Sequence, residues 1–177
     1  MRKTLVALLV ALAMQHAPAV AQTLPVPQAG TMREIPGAHE LPDPTLDYKI
    51  VFDIRSVADS ADHVSPALED VARLINTFRK YGVPSEHMHL VAVFHGQTIV
   101  LVTNDATYQG RTGGKKNPNT EILKQLDSAG VKMVVCGQSA LAQNYEASSL
   151  LPFVQMNLSA TVTFINLQTR GYVRVEK

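Results

Sequence analysis

The sequence contains no tryptophan, five phenylalanines and five tyrosines among 177 residues, so any core it builds is aliphatic, of Val, Leu, Ile and Ala. It contains one cysteine, Cys136. A single thiol closes no internal disulfide, and it excludes a Cys-rich zinc site and a thioredoxin-type CxxC pair. Neither charge sign dominates: 16 Lys and Arg stand against 15 Asp and Glu. A near-neutral chain offers no electrostatic footprint for nucleic acid or anionic lipid, so both are disfavoured as partners. No GxSxG marks a nucleophile elbow, and no P-loop or GxGxxG marks a nucleotide site. No apolar run approaches the ~20 residues of a spanning helix.

What is present begins with an export signature. Arg2-Lys3 precede an apolar run from Leu5 to Ala13, and Ala19-Val20-Ala21 form a small-x-small site before Gln22. This predicts a signal peptide over residues 1–21, cleaved after Ala21, and a periplasmic or secreted product. Its removal takes Arg2 and Lys3 and no acid, so 14 basic residues remain against 15 acidic ones and the product carries −1. Residues 22–46 hold Pro25, Pro27, Pro36, Pro42 and Pro44, with Gly30 and Gly37, and show no helical or strand period. They read as an extended, mobile linker.

The remainder, residues 47–177, is long enough for one domain. Tyr48–Ile54 reads as a buried strand. Ser65-Pro66 opens a helix whose apolar face is Leu68, Val71, Ala72, Ile75 and Phe78, stopped near Gly82. Met88–Phe94 is a second strand. Thr98–Thr103 reads as a strand from its β-branched content, and Asn104–Lys116 as a polar loop. Asn117-Pro118 opens another helix, ending at Gly130. Val131–Val135 is a third buried strand, with a short helix starting at Ser139. Leu150–Val154 reads as a helical or turn segment, and Ala160–Leu167 and Tyr172–Val175 as closing strands. Strands alternating with helices give an α/β fold: three layers around a mostly parallel sheet, flavodoxin-like or Rossmann-like.

In such a sheet, reactive groups gather beyond the carboxyl ends of the strands. Cys136 follows the third strand and His95 the second; the two share a crevice if those strands are neighbours. Cys136 precedes a helix start, where free N–H groups and the dipole favour a thiolate. A small apolar residue packed at a strand end is the alternative. Gly137 leaves room for a ligand at the sulfur. His95 can hold or donate a proton, or serve as a hydrogen-bonded structural residue. His87 and His89 alternate but lack a carboxylate, so no metal site is expected. Arg111-Thr112-Gly113-Gly114-Lys115-Lys116 reads as a solvated basic loop rather than an anion site.

His95-Gly96 after a strand, Asn117-Pro118-Asn119 opening a helix, and Leu126…Gly130-Val131…Val135-Cys136-Gly137-Gln138-Ser139 together resemble the DsrE family of small sulfur-handling proteins, above all its exported members. Leu150-Leu151-Pro152 through Gly171-Tyr172 fits the same pattern. The resemblance spans about residues 47–177. It implies a DsrE-type three-layer domain that forms homo-oligomers, trimers or hexamers, without a cofactor. It implies that Cys136 takes sulfur as a persulfide from a donor and relays it to an acceptor protein. His95, Gly96, Gly137 and Gln138 are then its neighbours. It also implies helix rather than strand after His95-Gly96, against the reading from propensity. A non-catalytic oligomeric scaffold and a thiol-based redox-responsive protein remain the alternatives.

Overall fold

The computed structural model describes residues 23–113 and 116–177; the expected signal peptide, and Gly114 and Lys115 of the basic run, lie outside them. In chain order the elements are β1 (Tyr48–Ile54), α1 (Pro66–Lys80), β2 (Met88–Phe94), α2 (Asp105–Thr112), α3 (Thr120–Ser128), β3 (Val131–Cys136), α4 (Gly137–Ala142), β4 (Val154–Asn157), α5 (Ala160–Thr169) and β5 (Val173–Glu176). The five strands form one all-parallel sheet in the order β4-β3-β2-β1-β5.

Handedness explains the layers. The chain steps from β1 to β4 in one direction, and right-handed crossovers place every intervening helix on one face. The return from β4 to β5, at the opposite edge, sends α5 across the other face. The first face is the main core: Ile50, Phe52 and Ile54 of β1 meet Leu68, Val71 and Ile75 of α1 and Ile122, Leu123 and Leu126 of α3. The second face is smaller: Val51, Val91, Val93, Val134 and Cys136 lie under Ala160 and Phe164 of α5. With both faces covered, the inner strands β1, β2 and β3 are near-continuous apolar runs.

Four segments differ from what the sequence predicts. The Thr98–Thr103 strand is instead a 3-10 helix, Gly96–Val102. Its β-branched side chains are buried as core (Ile99 and Val102 fully), and Thr98 pins the turn, its hydroxyl accepting from the His95 N–H at 3.1 Å and donating to Ile54 O at 2.9 Å. Part of the Asn104–Lys116 loop is α2. Asn104 caps it by accepting from Thr107 N at 2.9 Å, and Tyr108 anchors it by donating to Ala61 O at 2.8 Å. The Ala160–Leu167 strand is α5, capped by the Ser159 hydroxyl, which accepts from Val162 N at 3.1 Å. The Leu150–Val154 segment leads into a strand, β4, that propensity does not reveal; its core is exposed and polar at Gln155.

The proline-rich stretch also differs from a mobile linker. Val26 is fully buried in the main core, and the Asn76 amide of α1 clamps the backbone around it, accepting from Val26 N at 2.9 Å and donating to Val26 O at 2.7 Å and Gly30 O at 2.6 Å. The Thr77 hydroxyl accepts from Met32 N at 2.8 Å. Two polar residues on a buried helix face thus serve a strap. Asn76→Ala leaves three backbone groups without a partner and is expected to destabilise by about 1–3 kcal/mol. Hydrogen exchange at Val26 and Met32 should accelerate with it; unchanged protection there would contradict the clamp.

Candidate functional site

The sheet register builds the site. β1, β2 and β3 run parallel, with Asp53 beside Val93 and Phe94 beside Val135. One residue further on, His95 and Cys136 leave neighbouring strands side by side. Strand alternation sends Asp53, His95 and Cys136 to the second face, where α5 begins. They meet a cleft of about 500 Å³, whose walls include His95, Cys136, Gln138, Ser139, Phe164 and Arg174. A larger hollow, about 800 Å³, lies under the N-terminal strap near Arg79, Met88 and Gly130; neither Cys136 nor a histidine lines it, and it sits at the opposite, amino ends of β2 and β3.

Cys136 is the N-cap of α4, and its Sγ accepts from Ser139 N at 3.4 Å. Burial pushes the thiol pKa up. The Ser139 side chain and the backbone N–H groups of Ser139, Ala160 and Gln138 outweigh it and hold the pKa below the usual thiol value. Ala160 opens α5, so the sulfur sits between the starts of two helices. The residue is 5 % exposed and forms part of the cleft wall. The rate of iodoacetamide labelling against pH should therefore show a midpoint below the ~8.5 of a free cysteine. Ser139→Ala should move that midpoint up; a midpoint at the free value in both proteins would contradict the geometry.

Behind the cleft lies Asp53, 0 % exposed in the middle of the sheet. Its Oδ1 accepts from His95 Nε2 at 2.7 Å, its Oδ2 accepts from Arg174, and Arg55 stands 3.9 Å away. Burial acts to raise the Asp53 pKa; the hydrogen bonds and charges of Arg174 and His95 overcome it and hold the carboxyl below its ordinary range. An ionised carboxylate only accepts, so Nε2 of His95 carries the hydrogen of this bond. Phe164 packs edge-on to His95, ring centroids 6.4 Å apart, and the Arg174 guanidinium lies over its ring at 4.2 Å.

The structure brings Cys136, His95 and Gln138 to one cleft and leaves Gly96 and Gly137 out of its lining. Gly96 has φ +51 and marks the sharp exit from β2; its carbonyl accepts from Gln143 Nε2 at 3.0 Å. Gly137 makes room for the chain itself and not for a ligand. A Cβ there would stand 2.6 Å from Asn157 O and 3.3 Å from Leu158 O. His87 and His89 are held locally, His87 Nδ1 at 3.1 Å from Pro44 O and His89 Nε2 at 3.9 Å from Asp47. His87 belongs to a 3-10 turn, so the two do not alternate along one strand. Sequence reasoning missed Asp53, Ser139, Phe164 and Arg174. The signal for Asp53 was an acid inside an otherwise apolar strand; Arg174 had none, because β5 alternates polar and apolar like any edge strand.

Among the described residues no cluster of three or more His, Cys, Asp or Glu is placed to hold a metal, and no helix is long and apolar enough to cross a membrane. No curated protein matches the chain. A solved structure of a protein of unknown function from Methanobacterium thermoautotrophicum shares the fold, with a TM-score of 0.52 and 20% identity over 74% of this chain and 100% of that one. The sequence profile of the DsrE/DsrF-like family matches residues 43–175. On that match, which spans the sheet, the cleft and Cys136, the chain belongs to the DsrE/DsrF-like family.

Proposed function

We propose that this protein carries sulfur as a persulfide on Cys136. Family membership supports a sulfur-related role in general. The observation that carries the finer reading is the seat of the thiol: a sulfur with a lowered pKa, ringed by N–H donors, opening on a cleft beside a histidine. In the reaction, the Cys136 thiolate attacks the outer sulfur of a sulfane donor. The new S–S bond forms as the donor's own S–S bond breaks, and the leaving group departs with the electron pair. The resulting persulfide anion keeps the same N–H donors, which stabilise sulfur-centred charge as they do the thiolate. A second thiolate, on an acceptor, takes the terminal sulfur by the same exchange.

The reading extends to place and assembly. Export follows from the Arg2-Lys3, apolar and Ala19–Ala21 pattern, and puts the reaction in the periplasm or outside the cell. Assembly is supported by α5 and the residue just ahead of its cap: Phe164 packs inward while Val162 and Ile165 are 40% and 58% exposed and Leu158 is 70% exposed. Large apolar side chains left exposed together mark an interaction surface, and a second copy of the chain is the partner proposed.

Treatment with thiosulfate or inorganic polysulfide followed by intact mass measurement tests the carrier. The wild type should gain sulfur and Cys136→Ser should gain none. Equal gain in both proteins, or gain in neither, removes the reading.

A further inference from the structure

We propose that Arg174, seated on the buried Asp53, is the substrate-binding residue that makes the Cys136 cleft select an anionic sulfur donor: a sulfane sulfur attached to an oxyanion head, thiosulfate being the simplest. This rests on the reading of Cys136 as the sulfur acceptor and deepens it.

The arrangement is one-sided. Asp53 is fully buried behind the cleft wall, whereas the side chains of Arg174 and His95 are 35% and 28% exposed and line the cleft. A ligand in the cleft therefore meets the side chains of Arg174 and His95, with the carboxylate that balances them out of reach. The guanidinium is fixed from two sides, by Asp53 at its Nη2 and by the Phe164 ring beneath it at 4.2 Å. Only Nη2 is directed at carboxylates, at Asp53 and, at 3.9 Å, Glu176. Glu176 has its own closer partner, Arg55 at 2.9 Å. Nε and Nη1 of Arg174 have no protein acceptor among the described residues. A planar fork held rigid with donors to spare is the geometry that binds an oxyanion through paired hydrogen bonds.

The chemistry gives such a residue a task. A thiolate approaching thiosulfate brings like charges together, and a fixed cation beside the path offsets that repulsion. The step balances without an outside oxidant: the Cys136 thiolate attacks the sulfane sulfur, the S–S bond of thiosulfate breaks, and sulfite leaves with the pair. One negative and two negative charges become the persulfide anion and the sulfite dianion. Arg174 faces the head group before the step and the departing sulfite after it. A neutral polysulfane gains nothing from it.

The test compares labelling of Cys136 by iodoacetate, an anion, with labelling by neutral iodoacetamide. The iodoacetate-to-iodoacetamide rate ratio in the folded protein, divided by the same ratio in denaturant, should be about ten, the scale of one well-placed charged partner. Inorganic sulfate should depress it in the wild type. Arg174→Gln should bring it near one and Arg174→Lys should keep part of it, with thermal melts confirming that both variants fold. A wild-type ratio near one, insensitive to sulfate, overturns the proposal whatever the variants do. Sulfur loading from thiosulfate and from a neutral organic trisulfide separates the two readings. Loading from both alike, with no iodoacetate preference, keeps the carrier and overturns Arg174 selection. An iodoacetate preference with no loading from any donor keeps the anion site and removes the carrier.

Discussion

Asp53→Ala is expected to lower stability by about 2–4 kcal/mol at neutral pH, because it removes the shared acceptor of two charged or polarised donors from the middle of the sheet. The loss falls short of the largest recorded for buried pairs, since His95 and Arg174 are each partly exposed and can turn to water. Asp53→Asn keeps the shape but offers one oxygen where two donors need one each, so it should lie between. The pH dependence carries a sign. Because the native pKa is held below the unfolded one, the stabilisation is present above about 3.9, the unfolded value, and is lost as pH falls through the lower native value. Urea melts at neutral and at strongly acidic pH should show the gap between wild type and Asp53→Asn closing in acid. A gap of the same size at both would mean that shape, not charge, holds the residue there.

The second large effect belongs to a glycine. Gly137→Ala places a Cβ 2.6 Å from the Asn157 carbonyl, a backbone atom of β4 that cannot swing aside like a side chain. Either β4 or the start of α4 must move, at a cost of about 2–3 kcal/mol. That movement acts on the thiol as well. The donors around Cys136 come from Gln138 and Ser139 on one side of Gly137 and from Ala160, just past β4, on the other. Separating the two should raise the thiol pKa, so the labelling midpoint and the melting temperature should shift together in Gly137→Ala. A variant that melts like the wild type and labels like it would show that this contact is loose.

How far the sequence discloses this protein depends on what kind of signal each part leaves. α1 and α3 are legible because each buries one stripe and keeps a polar back, and the buried strands because both faces are covered. α5 is not, because it buries only Ala160, Thr163 and Phe164 while Val162 and Ile165 face outward, and its Val, Thr and Ile content imitates a strand. The helical sign was the Ser159 cap. The 3-10 segment at Gly96–Val102 fails for a related reason: its β-branched residues serve burial and not pairing, and of the two opposed readings the helical one, implied by the resemblance to the DsrE family, is the one that agrees with the structure. α2 is invisible to periodicity because Tyr108 alone anchors it. Of the site, Cys136 and His95 are legible from their places after two strands, but their meeting needs the strand order, which local pattern does not hold. Asp53 and Arg174 lie 121 residues apart and come together only because the final crossover returns β5 to the side of β1. No local signal encodes that.

The central claim, that Cys136 is where this protein carries sulfur, is tested most directly by cyanolysis of the loaded protein. Cyanide removes the outer sulfur of a persulfide as thiocyanate and returns the thiolate. After loading with thiosulfate and removal of excess donor, the wild type should release thiocyanate in proportion to chain and regain its full thiol titre. Cys136→Ser, carried through the same steps, should release none. Thiocyanate from the serine variant in the same amount, or a wild-type protein that yields none while its thiol remains free, would contradict the account.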